Sequence, residues 1–224
     1  MEHFFENAFR HMDAQSRESF YKTVFMNDTS PYAYEVRRQY YAAKCKHMGQ
    51  NVTIGVGVKI QNPEYISLGD NVTIRDNATL IARGEGGIEI CDDVVINDRV
   101  YLDTESAVTG YIRVGKGTYI GTGTTLFGHK GLEIGEHVLL AQNITLTPYS
   151  HHYEDPGRII YAQGGHCEKV VLGNDVYVGM GVCIMYSGSI GEGSVVGAGS
   201  VVVKPIPPYS IAVGNPARVI KERK

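Results

Sequence analysis

The chain has 224 residues, with 21 Lys and Arg, 24 Asp and Glu and 27 glycines. That length suits one folded unit with caps, and a net charge of −3 without a basic run interleaved with aromatics excludes a general nucleic-acid binder. No apolar stretch reaches membrane-spanning length, residues 1–10 do not read as a signal peptide, and Cys45, Cys91, Cys167 and Cys183 lack metal or redox spacing, which fits reduced thiols in a cytoplasmic protein.

Residues 1–47 precede any repeat. Ser30 followed by Pro31 predicts a helix start, with Ser as N-cap and Pro at the first helical position. Val36, Tyr40 and Ala43 give this helix one apolar stripe, and Gly49 ends it. The segment is expected to cap the first coil of the repeat that begins at Met48, because an open solenoid end exposes core and unpaired strand. Tyr32, Tyr34, Tyr40 and Tyr41 are read first as packing residues, with sugar stacking as the alternative.

From Met48 onward an aliphatic residue or Met recurs every six positions. The triplets are Met48, Ile54, Ile60; Leu68, Ile74, Leu80; Ile90, Ile96, Leu102; Val114, Ile120, Leu126; Ile134, Leu140, Leu146; Leu172, Val178, Ile184; and Ile190, Val196, Val202. Six is no multiple of the helical 3.6, and simple alternation does not single out every sixth residue. A short fixed repeat over many cycles marks a solenoid, here a parallel β-helix in which three hexads close one triangular coil. The residue after the aliphatic is Gly in ten of the fourteen first and second hexads, as suits a tight corner or a close backbone approach.

The triplet starts are separated by 20, 22, 24, 20, 38 and 18 residues. All extra residues therefore leave from one corner of the coil, and the largest excursion is 147–171. A long loop on a rigid solenoid is where function is usually carried. Lys204-Pro205-Ile206-Pro207-Pro208 is expected to stop the repeat, since proline cannot donate to a ladder. The organisation reads as a helical segment at 1–47, a β-helix at 48–206 and a short terminal extension at 207–224.

The repeat, the histidine-bearing loop and the ending VVGAGSVVVKPIPPYSIAVGNPARVIKERK resemble hexapeptide-repeat acyltransferases, nearest the sugar and polysaccharide O-acetyltransferases. The resemblance implies a left-handed β-helix, a homotrimer, acetyl-CoA as co-substrate and no metal, with a sugar or glycan hydroxyl as acceptor. It implies a catalytic histidine at the start of the long loop. The run Ser150-His151-His152-Tyr153-Glu154-Asp155-Pro156 selects His151, with His152 as rival by one position, and Ser150, Glu154 and Asp155 as possible support. An imidazole suits this role because its pKa allows it to take the proton of an alcohol near neutral pH. The same resemblance assigns Gly179, Met180, Gly197, Ala198, Val203, Lys204, Arg218 and Lys221 to coenzyme A, and Tyr149 and His129 to the acceptor.

Three alternatives accompany that reading. One is N-acetyl transfer to an amino-sugar nucleotide, which would use the same base and donor. Another is a zinc carbonic anhydrase of the same fold, which needs three converging imidazoles; the His-x4-His pair of those enzymes is absent. The third is a non-catalytic scaffold, which needs neither the histidine loop nor the GNPARVI ending.

Overall fold

A computed structural model describes residues 11–106 and 108–224, so the reading of residues 1–10 lies outside it. Two helices precede the repeat, α1 (Ala14–Val24) and α2 (Pro31–Ala42). Asp13 caps α1 by accepting from the Ser16 N–H at 2.7 Å. Ser30 caps α2 by accepting from the Ala33 N–H at 3.2 Å, with Pro31 in the first turn, as the sequence predicts.

The buried stripe of α2 differs from the one expected. Ala33, Arg37 and Tyr41 face the first coil, while Val36 and Tyr40 are half-buried. Arg37 is fully buried because its guanidinium clips three carbonyls: Nε donates to Ile54 at 2.9 Å, and Nη1 to Phe25 at 2.6 Å and Asp28 at 2.7 Å. Charge-assisted bonds of this kind offset the desolvation that a hydrophobic reading treats as prohibitive. Tyr40 and Tyr41 are packing residues. Tyr40 stacks on Tyr21 with centroids 3.7 Å apart, and the Tyr41 hydroxyl donates to the Val58 carbonyl at 3.3 Å.

The repeat folds into three parallel walls. Wall one is His47–Met48, Ile66–Leu68, Ile88–Ile90, Ile112–Val114, Leu132–Ile134 and Val170–Leu172. Wall two is Thr53–Ile54, Thr73–Ile74, Val95–Ile96, Tyr119–Ile120, Leu139–Leu140, Tyr177–Val178, Val195–Val196 and Ser210–Val213. Wall three is Lys59–Gln61, Thr79–Ile81, Tyr101–Asp103, Thr125–Phe127, Thr145–Leu146, Cys183–Ile184 and Val201–Val202. Equivalent residues pair directly between coils, such as Ile120 with Leu140 and Leu126 with Leu146. The fold is a three-walled parallel β-helix. Its core is the column of sixth residues, buried throughout except Met48 and Ile60 in the first coil, which are partly exposed at the α-helical end.

Two kinds of residue make the corners. Most of those just after the aliphatic are glycine, where the next coil lies too close for a side chain. A Cβ added to Gly121 would lie 2.3 Å from the Ala141 carbonyl oxygen. The left-handed turn itself falls two residues later and is taken by Asn or Asp as often as by Gly: Asn51, Asn71 and Asp93 have φ of 56°, 57° and 59°. Their side chains form a ladder, Asn51 donating to Asn71 at 3.1 Å and Asn71 to Asp93 at 2.9 Å. Where the core position is hydroxylic, the hydroxyl is bonded: Thr124 donates to the Ala141 carbonyl at 3.2 Å, and Ser200 to the Gly197 carbonyl at 2.7 Å.

The β-structure runs past the proline cluster. Ile206 bridges Ile190, Ser210–Val213 pairs in parallel with Val195–Val196, and Arg218–Glu222 folds back antiparallel to close that edge. Proline is tolerated because Pro205, Pro207 and Pro208 flank the bridging residue, whose own N–H donates to the Ser189 carbonyl at 2.9 Å. No helix among the described residues is long and apolar enough to cross a membrane.

Coil contact at the corner predicts that Gly121→Ala, a change of one methyl group, destabilises by at least ~2 kcal/mol through overpacking against backbone. Urea unfolding should show a lowered midpoint with an unchanged slope; an unaltered midpoint would remove close approach as the reason for glycine there.

Candidate active site

The expected excursion 147–171 is shorter in the structure, because Val170 and Val171 already belong to wall one; the chain between Leu146 and Val170 leaves the corner between walls three and one as a flap. Its base is an antiparallel hairpin, Tyr149–His151 against Gly165–Cys167, with Tyr149 opposite Cys167, Ser150 opposite His166 and His151 opposite Gly165. Pro148 is buried at the root and its carbonyl accepts from the Glu168 N–H at 3.1 Å. Successive side chains on a strand point to opposite faces, so His151 and His152 diverge.

On one side lie Phe127, His129, Tyr149 and His151. His129 stacks on Tyr149 (centroids 5.2 Å apart, planes at 18°), and its edge meets Phe127 at 6.0 Å. The exposed His151 ring stands perpendicular to Tyr149 at 4.9 Å, with Nδ1 3.5 Å from the tyrosine hydroxyl. On the other side His152 lies 4.9 Å from His166, which abuts Tyr186 at 4.4 Å. The Nδ1 atoms of His129 and His166 are buried and have no hydrogen-bond partner among the described residues.

The expected supporting carboxylates are elsewhere. Glu154 lies 3.7 Å from His152 Nδ1 and accepts from the Tyr153 N–H at 2.9 Å; its own backbone N–H and that of Tyr153 hold its carboxyl below the usual range. Asp155 shapes the flap's tip, accepting from the Gly157 N–H at 2.9 Å, while Gln163 donates to its carbonyl at 2.9 Å. Neither touches His151. The group beside His151 Nδ1 is the phenol of Tyr149, a residue that sequence reasoning gave to the acceptor. The missing signal was strand alternation inside the flap, which puts residues 149 and 151 on one face.

The positions assigned to coenzyme A fall in the upper coils. Gly179 is buried, and a Cβ there would lie 2.5 Å from the Ala198 nitrogen. Met180 is exposed, and its carbonyl accepts from the Gly199 N–H at 2.9 Å. A Cβ on Gly181 or Gly199 would meet nothing within 4 Å, so this corner between walls two and three is bare. Val203 and Lys204 are exposed and come directly after Val202, which stands in register above Ile184 and Leu146 at the flap's root. Arg218 and Lys221 lie on the returning strand opposite Val213 and Ile211. Within one chain, no hydrogen bond, ion pair or ring contact among the described residues joins these positions to the flap histidines. No group of three or more His, Cys, Asp or Glu is positioned to hold a metal ion among the described residues.

Sequence reasoning also missed an ion pair at the flap's corner, between walls three and one. Asp103, fully buried, accepts from Arg83 Nε at 2.8 Å and Nη2 at 2.6 Å, from the Tyr101 hydroxyl at 3.0 Å and from the Glu105 N–H at 2.8 Å. Burial pushes the Asp103 carboxyl up, but these donors outweigh it and hold it below the usual range.

The chain is 33% identical over 171 residues to a probable acetyltransferase of Mycobacterium tuberculosis, covering 74% of this chain and 54% of that protein. It is 36% identical over 115 residues to the galactoside O-acetyltransferase of Escherichia coli, covering 50% of this chain and 54% of the relative. Both relatives carry the name of acetyltransferases, and the likeness lies in part of each. The chain spans about half the length of the curated relatives it matches. No family model matches it. The fold is also that of AntD, an N-acyltransferase from Bacillus cereus solved with dTDP and coenzyme A, at a TM-score of 0.60 and 24% identity over 84% of this chain and 89% of that one.

His129 carries a pH signature of this hexapeptide-repeat site. Burial holds its imidazole below the ordinary value of 6.5. The native state then binds fewer protons than the unfolded chain, so its contribution is full above 6.5 and is lost as pH falls toward the lowered native value. The melting temperature of the protein should fall between about pH 7 and pH 5, and His129→Phe should flatten that fall. Identical profiles for the two proteins would exclude His129 as the source.

Proposed function

We propose that the protein transfers an acetyl group from acetyl-CoA to a hydroxyl of a sugar or glycan, with His151 as general base. The observation that carries this is the hairpin presenting the exposed His151 ring with Nδ1 against the Tyr149 phenol. For Nε2 to act as the base, Nδ1 must carry the proton and donate to the Tyr149 oxygen; the phenol then holds both tautomer and ring. Nε2 accepts the acceptor's proton as its oxygen attacks the thioester carbonyl, and returns that proton to the departing thiolate. The hydroxyl acceptor is supported by the likeness to the galactoside O-acetyltransferase; AntD shares the fold alone.

In this reading the donor lies along the upper coils. The bare corner at Gly181 and Gly199, beside Met180 and Ala198, suits a thin pantetheine arm lying against the wall. The exposed Lys204, Arg218 and Lys221 suit its phosphates.

A homotrimer is part of the proposal. The outward residues of wall two form an in-register apolar ladder: Val95, Tyr119, Leu139, Tyr177, Val195 and Ile211. Wall one instead displays Glu89, Arg113 and Glu133, a charged ladder suited to water. A contiguous apolar strip of that kind is an association surface. Tyr177→Glu should therefore shift the sedimenting species from three chains to one; a wild-type monomer, or a variant that stays associated, would remove wall two from the interface.

With a panel of sugars and acetyl-CoA, His151→Ala should lose transfer by ~10²–10⁴-fold while His152→Ala retains most of it, read as thiol release. Near wild-type transfer by His151→Ala would overturn the assignment of the base.

A further inference from the structure

A column of rings descends from the flap along the corner where wall three turns into wall one. Below His151 come Tyr149, His129, Phe127 and Tyr101, the last meeting Phe127 edge-on at 6.1 Å. These four are half-buried, so each keeps a surface toward solvent. At the foot of the column stands Arg83, bidentate on Asp103, whose second oxygen also takes the Tyr101 hydroxyl. We propose that this corner is the acceptor track of the enzyme, and that it takes a sugar chain bearing an anionic group, with rings stacking on the column and the anion meeting Arg83. The proposal rests on the acetyltransferase reading for the identity of the acceptor.

Three physical features lead there. The first is spacing. Tyr101, Phe127 and Tyr149 come from three successive coils, which repeat at about 4.8 Å, a step comparable to one sugar in an extended chain, so rings one coil apart can address successive sugars. The second is chemistry. Pyranose rings present C–H faces suited to aromatic surfaces and hydroxyls suited to the imidazole and phenol edges.

The third feature is Arg83. Its side chain is 43% exposed although its partner carboxylate is fully buried. Two of the five guanidinium N–H groups are bound to Asp103, and the fork fixes the plane in which the others point. A fully bonded buried carboxylate contributes little net stability over an apolar residue. What it provides is a cation locked in one orientation at the end of an aromatic track, the arrangement that recognises a carboxylate or phosphate.

The test is direct binding without acetyl-CoA, by calorimetry, using tetragalacturonate, maltotetraose 1-phosphate and neutral maltotetraose. The expected result is that one or both anionic probes bind at least about tenfold more tightly than maltotetraose, and the preferred probe tells carboxylate from phosphate. Phe127→Ala should weaken the anionic and neutral probes alike, whereas Arg83→Met should remove only the anionic preference. Should Arg83→Met not fold, Arg83→Lys keeps a charge beside Asp103 and should still reduce the preference, because the planar fork is lost. Equal binding of all three probes, no binding of any, or binding untouched by these variants would overturn the track. A wild-type protein that shows the preference but acetylates no sugar would keep the track and sink the acetyltransferase reading instead.

Discussion

Every level of this molecule depends on direct stacking of one coil on the next. Backbone N–H groups donate to carbonyls of the neighbouring coil all along the walls, for example Gly121 to Leu140 and Thr125 to Ile144, both at 2.8 Å. That bonding holds equivalent residues in register, so each aliphatic side chain contacts its counterparts and a single interior column forms. It also dictates the corners, where backbone lies too close for a Cβ and the turn beyond needs a left-handed residue. Inserted residues can leave only where stacking is not interrupted, and the chain uses the third corner for all of them.

Concentrating the insertions at one corner assembles the site. The flap, His129, the Arg83–Asp103 pair and the segment beginning at Val203 come from different coils, yet register brings them onto one edge of the prism. Local sequence separation is then a poor guide to proximity. Tyr101, Phe127 and Tyr149 are more than twenty residues apart in successive steps, and the ring-to-ring contacts among Tyr101, Phe127, His129 and Tyr149 arise only because wall three repeats vertically. The rigid solenoid supplies the precision, and in the proposed mechanism the flap supplies the imidazole.

The helical cap shows the same physics in a different form. The first coil exposes wall edges and core, and α2 covers them with a stripe that includes a buried arginine. Hydrophobic periodicity put the stripe one position away because it weighs Arg37 as a surface residue. The unpaired carbonyls of Ile54, Phe25 and Asp28 reverse that weighting, since a guanidinium can serve all three at once.

The six-residue period alone was enough to establish the solenoid, its three walls, the inward column and the corner from which the flap departs, because these come from short-range geometry repeated many times. The motif around His151 was legible through resemblance, and the strand alternation that separates His151 from His152 was implicit in it. Other features were decided only by the folded chain: Tyr149 as the partner of His151, the removal of Glu154 and Asp155 from that ring, the Arg83–Asp103 fork and the buried Arg37. Each of these is a contact between side chains whose spacing depends on how long an insertion is and how its backbone turns. A periodic pattern specifies what recurs from coil to coil, whereas those contacts arise where the recurrence is broken.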